Sequence, residues 1–338
     1  MRLHDCGESG RPEGCRTGLT RRRFLTASAG CAGYLAAAGP LLSPATLGRW
    51  RTPHRRIVAQ EPFARIEDLG LGMFAIVSTP LDGDYTTVCN GGIIMGRNAT
   101  LVVEAFASQQ GAVWVAEQAL ALTGRWPTHV VVTHYHGDHS AGADAFGRSS
   151  GTPPSLHATE ATRDLILDSR ADEELKAAWA DAVILAGDAE TGIDLGNRVV
   201  TVVPRGGHTA SDATVEVDGG EGPVWCGDLV WNAMFPNYID AQPTRLARSV
   251  YALHALPTEI FVPGHGPLAT VDDVARYISV IDVVGEYARE AWRLGMTAEE
   301  AASRFQVPPD LGEWELFDPG YHQRAIEKWM DEIVGDSG

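Results

Sequence analysis

The 338-residue chain predicts an α/β fold in which helices cover β-sheets, on three observations. Apolar, β-branched runs such as Val130-Val131-Val132-Thr133 and Val199-Val200-Thr201-Val202-Val203 read as strands buried on both faces. Stretches with apolar residues at helical spacing alternate with these runs, which is the pattern of sheets flanked by helices. Glycine and proline punctuate the boundaries, as at Asp82-Gly83-Asp84, Gly124 and Pro263-Gly264.

The elements follow in order. After a polar stretch that ends near Arg65, residues 72–78 and 86–95 read as strands separated by the Asp82-Gly83-Asp84 turn, and 99–104 as a third. Residues 109–122 carry Val113, Val115, Ala116, Ala119 and Leu120 at helical spacing and stop at Gly124. A strand over 128–133 leads into a histidine-rich loop in which Gly137 and Ser140-Ala141-Gly142 read as turn. A strand at 155–158 and a helix from 159 to about 182 come next, then short strands at 199–203, 223–227 and 259–264. Helices over 244–256 and 271–294 cover the second half. The tail is helical in pattern: Thr297-Ala298-Glu299-Glu300 starts one segment with a capping residue followed by acids, and 323–334 forms another.

The first 45 residues are not domain material. Thr20-Arg21-Arg22-Arg23-Phe24-Leu25-Thr26 is a twin-arginine pattern, and a mild Ala/Gly/Leu run follows over 27–42. Gly30, Gly33 and Gly39-Pro40 interrupt that run, which leaves it too short and too weakly apolar for a stable membrane span. Ser43-Pro44-Ala45 offers small residues at a signal-peptidase spacing. Residues 1–45 therefore read as a removable signal that addresses the twin-arginine export machinery, with a periplasmic or secreted destination. The expected organisation is signal 1–45, linker 46–65, main domain 66–294 and helical C-terminal extension 295–338. Cys6, Cys15 and Cys31 would leave with the signal; Cys89 and Cys226 remain in apolar runs, and one pair is no disulfide framework.

Charge narrows the partners. Residues 1–56 hold 10 of the 27 basic residues and 3 of the 44 acidic ones, which leaves 17 against 41 beyond, a balance of −24. Such a surface repels phosphate backbones, so nucleic acid is excluded and a small-molecule substrate expected.

The chemistry concentrates in His134-Tyr135-His136-Gly137-Asp138-His139, four metal-capable side chains within six residues at the end of a strand. His134 and His136 project to one side of an extended backbone and can share one ion, while Asp138 and His139, past Gly137, can serve a second. Three more strand ends deliver a candidate ligand beside glycine: Gly207-His208-Thr209, Gly227-Asp228 and Pro263-Gly264-His265-Gly266. The repetition of that arrangement, in this order, carries more weight than any one motif.

Together these four motifs resemble the metallo-β-lactamase fold superfamily, in particular its hydrolase branch similar to glyoxalase II and the metal-dependent lactonases; the resemblance spans roughly residues 66–291. It implies a four-layer αββα sandwich with the site at one edge between the sheets. It also implies two zinc ions per chain, one held by His134, His136 and His208 and one by Asp138, His139 and His265, with Asp228 bridging. Iron and manganese also suit such a donor set. Two adjacent ions share one water and lower its pKa from about 15.7 towards 7, so hydrolysis of an ester, thioester or lactone is expected, with Asp138 and Asp228 as the catalytic carboxylates. Asp228 argues against β-lactam cleavage as the main activity. Iron-dependent persulfide oxidation and a non-catalytic accessory role in an exported redox system are the other readings, and an oligomer is compatible with the helical tail. Glu104 stands where the superfamily usually has Asp; it is expected to orient a ligand by accepting hydrogen bonds from the metal loop. Asp212 is expected to orient His208, and the segment Val230 to Tyr238 to lie near the metals.

Overall fold

The computed structural model describes residues 55–80, 83–169, 172–185 and 189–336. The twin-arginine pattern and the cleavage site lie outside the described residues. Eight strands form the first sheet in sequence order: β1 (Ile57–Glu61), β2 (Ala64–Gly70), β3 (Met73–Ser78), β4 (Gly91–Met95), β5 (Thr100–Val103), β6 (His129–Val131), β7 (Ser155–Ala158) and β8 (Val183–Ile184). The second sheet runs β13-β12-β11-β10-β9, from β9 (Thr191–Asp194), β10 (Val199–Pro204), β11 (Ala213–Val217), β12 (Val224–Trp231) and β13 (Phe261–His265). Helices α1 (Gln109–Thr123), α2 (Gly137–Ser140), α3 (Glu160–Ser169) and α4 (Glu173–Ala180) accompany the first sheet, and α5 (Pro243–His254), α6 (Val271–Arg293), α7 (Ala298–Ala302) and α8 (Tyr321–Asp336) the second.

Strand alternation builds the layers. In β3, Phe74 and Ile76 join a core with Val115, Ala119 and Trp179 of the first helical layer, while Met73, Ala75 and Val77 join Val202, Val215 and Trp225 between the sheets. The same split separates Val130 from Val131. In the second sheet Trp225 points to the inter-sheet core while Val224 and Cys226 pack towards α5, α6 and α8. Each central strand is thus buried on both faces, and the order helix, sheet, sheet, helix follows. Trp225 ties the sheets with a hydrogen bond from Nε1 to Gly91 O (2.9 Å).

Several elements differ from the sequence expectation. The polar stretch before residue 66 contains β1 and the start of β2, paired antiparallel; Arg56, just before β1, pairs with Asp68 of β2, and Arg65 pairs with Glu67 along β2. The strand expected over 86–95 begins only at Gly91, because Asn90 leaves the sheet to reach β13: its N–H donates to Gly264 O (2.8 Å) and Nδ2 to Pro263 O and Gly266 O (2.9 and 2.8 Å). The helix expected from 159 to 182 is two helices, the second capped by Asp172, whose side chain accepts from Leu175 N. The turn at Gly137 is one turn of helix, α2. The capping boxes at Thr270 and Thr297 start α6 and α7, and Gly124 closes α1 in a left-handed conformation.

Candidate metal centre

All seven predicted ligands converge at the edge between the sheets. His134, His136, His208 and Asp228 form one group and Asp138, His139 and His265 another, with the offered atoms in each group within 4.8 Å of one another and every residue buried. His134 and His136 leave the end of β6, and α2 turns the chain so that Asp138 and His139 face the second group. His208 follows β10 through Gly206 and Gly207, Asp228 sits within β12, and His265 ends β13. Strands β12 and β13 run parallel, pairing Gly227 with Pro263 and Trp231 with His265. Gly264 allows that approach, because a Cβ there would stand 1.9 Å from Asp228 Oδ1. Gly227, at φ 52°, bends β12 beside Thr133, where a Cβ would come within 2.5 Å of Oγ1.

The hydrogen-bond network fixes the imidazole tautomers. His208 Nδ1 donates to Asn237 O (3.0 Å), and His136 Nε2 donates to Asp240 Oδ2 (3.0 Å). Thr133 Oγ1 donates to Glu104 Oε1 (2.6 Å) and so accepts from His134 Nδ1 (3.1 Å). The remaining nitrogens therefore carry lone pairs. They are His134 Nε2, His136 Nδ1 and His208 Nε2, and they crowd together at 3.1 and 3.0 Å around His136 Nδ1. Three lone pairs at such distances repel unless a cation lies among them. Burial holds His134 and His208 in the neutral form this requires, His134 well below its usual range and His208 down to about 4.

The second group is richer in negative charge. Asp138 Oδ2, His139 Nε2, Asp228 Oδ1 and His265 Nε2 are buried without a hydrogen-bond partner among the described residues. His265 Nε2 is 3.2 Å from Asp138 Oδ2 and 3.3 Å from Asp228 Oδ1, and His139 Nε2 is 3.1 Å from Asp228 Oδ1. Burial alone would lower His265, but Asp228 and Asp138 outweigh it and push it up to about 9. Burial likewise opposes ionisation of Asp228, yet His265 and His139 hold it well below the usual carboxylate range. Both groups thus demand positive charge at their centres, and the nitrogen and oxygen donors present fit zinc.

Glu104 does what its position suggested, by a geometry the sequence did not show. Its backbone is in the left-handed region at φ 75°; Oε2 accepts from Thr133 N (3.2 Å), and Oε1 lies 3.1 Å from His139 Nδ1. The side chain of Asp212 accepts from Thr209 N and Oγ1, both at 2.8 Å, and no hydrogen bond joins it to His208 among the described residues. The carbonyl of Asn237 orients His208 instead. Asp240, which sequence reasoning missed, holds His136 and also accepts from Tyr135 OH (2.5 Å). Of the 230–238 segment, Trp231, Phe235 and Tyr238 are fully buried, which makes them packing residues. His129 and His157 bond each other (3.0 Å) outside both ligand groups. Cys89 and Cys226 are buried free thiols.

A family model described as the metallo-beta-lactamase superfamily matches residues 85–265. A hydroxyacylglutathione hydrolase of Acidiphilium cryptum (strain JF-5) is 29% identical over 164 residues, 48% of this chain; the chain spans only 59% of that relative's length. Among solved structures, the DIM-1 metallo-beta-lactamase is 20% identical with a TM-score of 0.53, over 66% of this chain and 98% of that one. A metallo-beta-lactamase from Pontibacter korlensis is 18% identical with a TM-score of 0.52, over 65% and 99%. The inverting sec-alkylsulfatase Pisa1 from Pseudomonas sp. is 14% identical with a TM-score of 0.61, over 80% and 50%. At these identities the structures establish the shared αββα architecture. The family match runs from the loop before β4 to the last ligand, His265, and takes in both ligand groups: the chain belongs to the metallo-beta-lactamase superfamily.

Proposed function

We propose that this superfamily member is a dinuclear zinc-dependent hydrolase that cleaves a carbonyl ester, thioester or lactone. Asp228 carries the reading. Its Oδ2 faces the first group, 3.3 Å from His208 Nε2 and 3.8 Å from His134 Nε2, while Oδ1 faces the second, 3.1 Å from His139 Nε2. One carboxylate thus spans both groups. When bound, two ions polarise a carbonyl oxygen and bring the pKa of water towards neutrality.

The chain's own part is to hold and discharge. The neutral His134 and His208 imidazoles keep their lone pairs inward, and the Glu104 and Asp240 carboxylates fix the ring orientations of His139 and His136. Asp138 and Asp228 are the two inward carboxylates able to take a proton from the attacking water and return it to the leaving group. Among the described residues no thiol competes for the nucleophile's role, since burial pushes Cys89 up to about 12 and raises Cys226 as well. The Acidiphilium relative, by its name a hydroxyacylglutathione hydrolase, supports the acyl-cleaving reading. Asp228 stands against β-lactams as the main substrate.

The deciding experiment is turnover of a lactone, a glutathione thioester, an aryl ester and a β-lactam by zinc-loaded protein, with and without a chelator. Chelator-sensitive hydrolysis of one of the first three supports the reading. Turnover of the β-lactam alone, or of none with two zinc ions bound, overturns it, and iron as the resident metal would redirect it to persulfide oxidation. Export is proposed on the twin-arginine pattern alone, with residues 1–45 removed on the way to the periplasm or medium. Replacing Arg21 and Arg22 by Lys should strand the precursor in the cytoplasm; normal export of that variant refutes the assignment.

A further inference from the structure

Four of the five metal-facing histidines have their outward nitrogen set against an oxygen. His134 meets Thr133 Oγ1, His136 meets Asp240, His208 meets Asn237 O, and His139 faces Glu104. His265 differs: its side chain is buried, and among the described residues its Nδ1 makes neither a hydrogen bond nor an ion pair, whereas His139 Nδ1 at least has the Glu104 carboxylate at 3.1 Å. Aromatic rings grip it instead. The Trp231 ring lies 4.4 Å from the His265 ring, and Phe317 presents itself edge-on at 6.1 Å while packing on Trp231 at 5.4 Å. Tyr321 closes the cluster against Trp231 at 6.1 Å.

Phe317 and Tyr321 belong to the C-terminal extension, well past the family match that ends at residue 265. The extension is fastened beside the site by a short bridge to the segment after β12: Phe235 N donates to Glu315 O (2.9 Å) and Glu315 N to Ala233 O (3.1 Å). Asp318 then accepts from Gly320 N (2.8 Å) and pairs with Arg324, which anchors the entry to α8. Phe317 is 5% exposed and Trp231 1%, so the rings fill space behind His265 and leave it little room to turn.

We propose that Phe317, backed by Trp231, is a positioning residue for His265, so that the C-terminal extension is a working part of the second metal group. Packing does for His265 what hydrogen bonds do for His134, His136 and His208 and what the Glu104 carboxylate, 3.1 Å away, does for His139. The proposal rests on the two-metal reading above, and its consequence is selective: loosening Phe317 weakens the Asp138/His139/His265 group and spares the His134/His136/His208 group.

The test is competitive zinc titration of the full chain, with cobalt(II) spectra reporting each group's coordination. Phe317→Ala should lower the second affinity by about tenfold or more, the range seen when a group behind a ligand is removed, and leave the first within twofold. Phe317→Leu, which keeps most of the volume and should fold, is expected to show a smaller loss confined to the same group. Phe305→Ala serves as the control: Phe305 lies in the same extension and contacts Phe235 and Tyr287 but no ligand ring. It should lower stability and leave the ratio of the two affinities unchanged. An unchanged ratio in Phe317→Leu, or equal weakening of both groups, overturns the positioning role. Wild-type protein that binds fewer than two ions overturns the metal reading itself.

Discussion

At the residue scale, the site divides into ligands and the groups that aim them. Asp228→Ala removes the one carboxylate that faces both groups, so it should cost both affinities and reduce turnover by more than about a hundredfold; zinc stoichiometry after dialysis checks the first and kcat the second. Asp240→Asn keeps the shape but weakens the anchor of His136, and a fall of roughly 10- to 100-fold in first-group affinity is expected. The ligands were legible because they announce themselves locally: His136, Asp138, His208, Asp228 and His265 stand beside glycine at or just past the end of an apolar run, and His134 and His139 complete the cluster around Gly137. Asp240 was not, since it lies 104 residues from His136 in a segment with no periodic signal. The carbonyl of Asn237 was illegible in principle, because every residue offers the same backbone group. Glu104 was half legible: its strand-end position suggested the role, and the positive φ that aims it did not show.

Among the elements, what the sequence revealed tracks burial on two faces. Strands β5 and β6 are apolar beyond their first residue and were expected, whereas β11 (ATVEV), buried throughout, carries Thr214 and Glu216 and escaped notice. The edge strand β1 is largely exposed and, with the start of β2, read as linker. β12 was cut short because Gly-Asp is first of all a turn signal, yet the parallel partner β13 carries the strand on through Asp228 to Trp231. The paired His129 and His157 link β6 to β7, and burial followed by the charge of His129 lowers His157 to about 4. Between pH 6.5 and 4 the unfolded chain takes up this proton and the folded one does not. The stability involved is therefore fully present above about pH 6.5 and is lost as pH falls towards 4. His157→Gln should lose less stability than wild type between pH 7 and 5, as read from urea midpoints.

For the whole molecule, ligand binding and stability are one account. Ions that bind the folded chain alone stabilise it by about 2.7 kcal/mol at a hundred times Kd, so chelation should lower Tm by roughly 5 °C or more. No helix among the described residues is long and apolar enough to cross a membrane. Ligands come from the end of β6 in one sheet and from β10, β12 and β13 in the other, with 131 residues separating His134 from His265. Neither sheet can assemble the centre alone. The pairing of β12 with β13 spans the intervening α5, and such long-range contacts form late because their loop entropy must be met first. A complete centre of either kind therefore needs both sheets in place, and a chain arrested with its sheets undocked lacks one. An ion held at full affinity is then a report that the last strand has arrived, which makes the centre a checkpoint on the fold as well as its chemical tool.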